Sequence, residues 1–181
     1  NAQPHAGWKA FKGGSRVGVL GNLKISVGMV RNDPAYNSFP TGPDDGYSLW
    51  VKEASALTIF TDEFTFSIDT VDSVSYLQRL SGLVVDPVTL AATRDATRLA
   101  LRVREVDSKE RWYLSDARVE QQKSGVWEQV SFAPQSTTFA RVDASGLYGP
   151  PLPLEDNNGY PLPANGVVTA FGVFVDQVHG R

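Results

Sequence analysis

Apolar and polar side chains alternate through most of this chain, most clearly in Thr97–Asp116, TRLALRVREVDSKERWYLSD. Over Thr97–Arg104, Leu99, Leu101 and Val103 fall on one side, and Arg98, Ala100, Arg102 and Arg104 on the other. That is the period of a β-strand. Arg111–Asp116 alternates as well, with Trp112 and Leu114 on one side and Arg111, Tyr113 and Ser115 on the other. With a short polar stretch between them, the two segments predict a β-hairpin. Pairing Val103 with Trp112 and Leu101 with Leu114 collects all the apolar residues on one face. A slip of one residue would place an arginine beside Trp112 in the core. The preferred register sets Arg102 opposite Tyr113 and Arg104 opposite Arg111, so that one face is core and the other is cationic and aromatic.

The same period predicts further strands. In Arg16–Val30 it breaks near Gly21-Asn22, which suggests two short strands. Tyr47–Glu53, Ala56–Phe60, Val74–Leu80 and Thr137–Val142 also read as strands. So does the run in which Phe64, Phe66 and Ile68 alternate with Thr65, Ser67 and Asp69. Arg118–Gln122 and Val126–Phe132 predict a second hairpin around Lys123-Ser124-Gly125. In its second strand Val130 and Phe132 share one face, and Trp127, Gln129 and Ser131 the other. Val167–Asp176, with its Val, Phe and Gly, predicts a central strand buried on both faces. Trp8 and Phe11 anchor an otherwise polar start, and Leu83–Asp95 reads as a short helical turn or a plain connection. Two loops are dense in Pro, Gly, Asn and Asp: Arg31–Gly46, and Ala144–Gly166 with Tyr148 and Tyr160. A loop as long as the second usually carries function or moves. No segment has the spacing of a long amphipathic helix. The expectation is therefore an all-β chain, one domain over residues 1–181. It would be a two-sheet β-sandwich of the jelly-roll kind, with about nine to eleven antiparallel strands.

Composition narrows the function classes. The 181 residues are 41% hydrophobic and 20% charged, with net charge −3. Such a balance fits a globular domain and argues against non-specific nucleic-acid binding. There is no cysteine, hence no disulfide, thiolate metal site or thiol nucleophile. No apolar run is long enough for a membrane-spanning helix. The opening NAQPHAGW reads as a mature form after signal removal or as an excised module.

Catalytic signatures are sparse. The nucleophile-elbow, zinc-protease, phosphate-loop and dinucleotide motifs are absent. The two histidines, His5 and His179, sit near the ends. The acidic pairs Asp44-Asp45 and Asp62-Glu63 read as solvated loop acids rather than a glycosidase pair. Glu155-Asp156-Asn157-Asn158-Gly159 has the oxygen ligands of a Ca²⁺ loop, with Asp156 and Asn158 as the candidate ligands, and equally the composition of an Asx turn. Asn32-Asp33 is of the same kind.

Binding chemistry is better represented. Sugars stack their apolar faces on Trp or Tyr inside a ring of hydrogen-bonding side chains. Trp127 with Gln129 on a polar strand face, Tyr113 on the arginine face, and Tyr148 and Tyr160 in the long loop are the candidates. Arg102, Arg104 and Arg111 offer forked donors for carboxylate or sulfate groups. The opposing reading is a salt-bridged sheet surface, since Asp95–Glu120 holds as many acids as bases.

Three segments carry a resemblance: Phe66–Thr70 (FSIDT), Trp127–Phe132 (WEQVSF) and Phe171–Asp176 (FGVFVD). Together with the TRLALRVRE strand, they resemble exported bacterial jelly-roll modules related to carbohydrate-binding modules, the galactose-binding-like sandwiches. The resemblance spans about Phe64 to Asp176 and rests on core alternation. It implies a secreted, non-catalytic glycan-binding module, often attached to a polysaccharide-degrading enzyme and often holding a structural Ca²⁺. Combined with the arginine face, the expectation is an extracellular or periplasmic module for an anionic, uronic or sulfated polysaccharide. The alternatives are a small jelly-roll lyase or hydrolase, against which the scarcity of histidine counts, and a structural or adhesive surface domain.

Overall fold

The computed structural model describes residues 8–12, 15–17, 27–31, 47–51, 57–61, 65–80, 83–85, 87–89, 92–94, 96–123, 125–143 and 159–176. Among them the strands in chain order are β1 (Trp8–Lys12), β2 (Ser15–Val17), β3 (Val27–Arg31), β4 (Tyr47–Val51) and β5 (Leu57–Thr61). Then come β6 (Phe66–Ser67), β7 (Val74–Gln78), β8 (Leu83–Val85), β9 (Ala92–Arg94) and β10 (Ala96–Arg104). The last are β11 (Glu110–Ser115), β12 (Val119–Glu120), β13 (Glu128–Phe132), β14 (Phe139–Asp143) and β15 (Val167–Asp176). The helical content among the described residues is two 3₁₀ turns, Ile68–Thr70 and Pro134–Ser136. The protein is all-β, and its strand pairs are antiparallel.

One large sheet runs β14-β11-β10-β15-β5-β1-β2. β10 and β15 are its centre. β10 pairs with β15 along one edge and with β11 along Ala100–Arg104 of the other. The same second edge is continued by β12 at Ala96 and Thr97. β6 likewise continues the edge of β15 that β5 occupies. The remaining pairs are β13 with β7, β3 with β4, and β8 with β9.

Both faces of the central sheet are buried. On one, Leu99, Leu101, Val103, Tyr113, Phe139 and Val168 pack with Ile68 and with Val130 and Phe132 of β13, giving a sandwich-like core. Val74 and Tyr76 of β7 pack against the same cluster. On the other face Ala100, Trp112, Leu114, Ala170 and Phe174 form a second buried cluster. β15 is the doubly buried central strand that its composition predicts.

The hairpin has a different register from the expected one. Leu101 lies opposite Tyr113, Arg102 opposite Trp112 and Arg104 opposite Glu110. Trp112 and Leu114 therefore sit on the opposite face from Leu99, Leu101 and Val103. The turn decides this. The Glu105 N–H donates to the Lys109 carbonyl and the Ser108 N–H to the Glu105 carbonyl, both at 2.9 Å. Ser108 takes a left-handed φ of +63°. This is a three-residue hairpin loop, a turn followed by a left-handed residue, and it sets the pairing of the strands it joins. With both faces buried, separating the apolar residues onto two faces carries no burial penalty.

Three other expectations need correction. β12 and β13 do not form a hairpin: β12 joins β10 in the large sheet and β13 joins β7. β10 extends beyond β11, and β12 takes up the backbone groups left open there. The Phe64–Ile68 strand is reduced to Phe66 and Ser67, both exposed, followed by a 3₁₀ turn that buries Ile68. Leu83–Asp95 holds the paired strands β8 and β9, with a turn at Pro87–Thr89.

Two substitutions test this frame. A Cβ on Gly166 would lie 2.7 Å from Ile68 Cδ1 and 2.9 Å from Val103 Cγ1, both in the core. Gly166→Ala is expected to destabilise by about 1–3 kcal/mol through overpacking, read by denaturant unfolding. Ser108→Gly removes the left-handed strain at the hairpin tip and is expected to stabilise by about 1 kcal/mol in the same measurement.

Candidate functional site

The hairpin arginines are paired with neighbouring acids. Arg102 is 5% exposed. Its Nε donates to Thr169 Oγ1 at 3.0 Å and lies 3.5 Å from Glu110 Oε2. A β-bulge makes this possible: the pairing of β10 with β15 shifts between Arg102 and Val103, leaving Thr169 as the extra residue beside the guanidinium. Arg104, half exposed, bonds the other Glu110 oxygen at 3.2 Å. Arg111 is paired with Glu105 and with Asp107. The backbone N–H of Lys109 and then Arg111 hold the Asp107 carboxyl below its ordinary range.

Tyr113 is buried on the opposite face from Arg102. Its hydroxyl donates to Glu105 Oε1 at 2.6 Å, and burial followed by that carboxylate pushes the phenol far above its usual range. Tyr160 forms a two-bond bridge with Phe139, and the Arg141 guanidinium sits 4.6 Å from its ring centre. Arg102, Arg104, Arg111 and Tyr113 thus do not share an open patch. Tyr148, Asp156, Asn158, His5, His179, Asn32-Asp33, Asp44-Asp45 and Asp62-Glu63 lie outside the described residues. Among the described residues no group of three or more His, Cys, Asp or Glu is placed to hold a metal.

The outer face of β7 and β13 is exposed. Ser75 lies opposite Ser131 and Leu77 opposite Gln129, and all four side chains are exposed. Their neighbours Val74, Tyr76, Val130 and Phe132 point inward, as the alternation of each strand requires. Trp127, half-buried, lies in the loop immediately before β13. Of the predicted site residues, Gln129 lies on this face, and Trp127 is two residues before it in the preceding loop. Ser75 and Leu77 were not legible as part of the site, because nothing in the alternation of β7 says which strand lies beside it.

The loop that presents Trp127 is stapled by one side chain. Gln121 is 3% exposed and uses its whole amide. Its Nε2 donates to the carbonyls of Lys123 at 2.9 Å and Val126 at 2.8 Å, and its Oε1 accepts from the Leu80 N–H at 2.9 Å. Glu128 accepts from the Gln122 and Lys123 N–H groups. Arg79 donates to the Gly125 carbonyl, and Gly125 adopts the φ of +70° that the turn needs.

Two hollows flank the sandwich. One of about 580 Å³ lies between the Ile68–Ser75 segment and Leu101, Val168 and Phe171, and its lining is mainly apolar. The other, about 410 Å³, is polar and opens beside Gln129. Family models, curated proteins and solved structures were all compared with this chain, and none matches it.

The hairpin arginines are assigned to packing, with a measurable consequence. Arg102→Ala should cost about 3 kcal/mol of unfolding free energy, because it leaves a cavity and removes the partner of Thr169 Oγ1 and of one Glu110 oxygen. Arg104→Ala should cost less than about 1 kcal/mol, the range of exposed ion pairs.

Proposed function

We propose that this chain is a non-catalytic polysaccharide-binding module of the extracellular or periplasmic space. We read its fold more finely as a two-sheet jelly roll, with the glycan lying across the outer face of β7 and β13. The observation that carries the reading is the ladder of Ser75, Ser131, Leu77 and Gln129, ending at the stapled loop of Trp127. A strand face with hydroxyl, amide and apolar groups, next to a loop that carries a Trp, matches the alternating polar and apolar surface of a sugar chain. The loop bonds fix the backbone that carries Trp127 before a ligand arrives, which lowers the ordering cost of binding.

Of the arginines expected to favour an anionic glycan, Arg102 and Arg111 are internal and paired, while Arg104 is half exposed beside Glu110. The proposal therefore makes no demand on glycan charge. A structural Ca²⁺ held by Asp156 and Asn158 belongs to the same reading and rests on their oxygen ligands. No described helix is long and apolar enough to cross a membrane.

A polysaccharide panel tests the proposal. Trp127→Ala should weaken binding to whichever glycan is retained by about tenfold, the worth of one stacked aromatic ring. Unchanged affinity in that variant would sink the site. New reducing ends or unsaturated products during the incubation would instead mark a hydrolase or lyase.

A further inference from the structure

The polar hollow beside Gln129 contains a buried donor with nothing to bond. It lies between β12 of the large sheet and β13, and its walls include Gln78, Arg118, Glu120, Gln122, Glu128 and Val130. Gln78 is 5% exposed. Its Oε1 accepts from Thr97 Oγ1 at 2.5 Å, and Thr97 Oγ1 lies 2.7 Å from the Tyr76 hydroxyl. Thr97 has one hydroxyl hydrogen and gives it to Gln78, so Tyr76 must donate to Thr97. Burial raises the Tyr76 phenol to about 12, which keeps it protonated for that role. With its Oε1 taken by Thr97, Gln78 has Nε2 as its open end, without a hydrogen-bond partner. Gln121, equally buried and one loop away, satisfies every polar atom of its amide. A buried amide donor left unmet is costly, and native proteins seldom keep one without a ligand or water to fill it.

The walls also specify the charge of the occupant. Arg118 is matched by Glu120 at 3.2 Å. Glu128 is turned onto the backbone N–H groups of Gln122 and Lys123. One positive and two negative side chains leave the lining net negative. A carboxylated or sulfated group is disfavoured there, whereas neutral hydroxyls can accept from Gln78 Nε2 and donate to the carboxylates. The volume falls in the range of small-ligand pockets.

From these features we infer that the cleft between β12 and β13 is a subsite for one uncharged sugar unit, recognised through the buried amide of Gln78. The inference rests on the polysaccharide reading above and deepens it. Gln129 lines both the cleft and the outer face, so a chain lying across that face can place one unit, or its end, in the cleft.

The test uses the full chain with methyl glycosides of glucose, galactose, mannose, xylose and glucuronic acid as probes. Side-chain amide resonances are followed by ¹⁵N NMR. At least one neutral glycoside should shift the Gln78 amide pair and the neighbouring Gln122 pair, with the glucuronide binding about tenfold more weakly. Gln78→Met keeps the reach without the donor and should weaken that glycoside about tenfold. Gln122→Ala, at the exposed rim, should weaken it several-fold and keeps the test open if Gln78→Met does not fold. If a polysaccharide binds and Trp127→Ala weakens it, while every neutral glycoside leaves Gln78 unmoved, the cleft holds only water and the subsite is refuted alone. If no glycan of any length binds, both readings fall.

Discussion

β10 is hydrogen-bonded along both edges and buried on both faces, and the rest of the sheet is arranged to permit that. A strand in this position cannot leave any polar group open to water. Its backbone groups are therefore taken up by β15 on one side and by β11 and β12 in succession on the other. Where β11 gives way to β12, the Ser115 hydroxyl fills the gap, accepting the Leu99 N–H and donating to the Ala117 carbonyl. The same constraint governs Arg102, a cation on the buried second face. It persists there because the bulge at Thr169 and the Glu110 carboxylate meet its guanidinium. A charge buried without such partners would cost several kcal/mol.

The two buried glutamines divide the polar work at the other end of the sandwich. Gln121 is consumed by structure: it bonds three backbone groups and so shapes the loop that carries Trp127. Gln78 is held at one end by the Thr97–Tyr76 relay and left open at the other. Neighbouring residues of one chemistry thus serve opposite ends, one closing the fold and one facing a cleft. The outer face of β7 and β13 joins them, since Gln129 borders both the cleft and the Trp127 ladder.

Much of the strand content was legible because period-two alternation reports a half-buried strand directly. Val130 and Phe132 inward with Gln129 and Ser131 outward is an example, and the doubly buried β15 is another. Alternation fails where both faces are buried, because either register then hides apolar surface. That is why the hairpin slipped by one residue from its expected pairing, and why Arg102 and Tyr113 ended on opposite faces. It fails also for long-range pairing. The Lys123–Gly125 turn reads as a hairpin locally, yet the strands on its two sides answer to β10 and β7, far away in sequence.

The residues alone were enough to establish an all-β chain, the approximate position of most strands, and Gln129 and Ser131 on an exposed strand face. These follow from local side-chain periodicity and need no partner to be known. The hairpin register, the internal pairing of the arginines and the open amide of Gln78 were settled by tertiary structure. Each depends on which strand lies across the sheet or beneath it. Composition along the chain cannot say whether a guanidinium meets water or a buried carboxylate, and the difference between those environments decides whether a charged residue binds a ligand or holds the fold together.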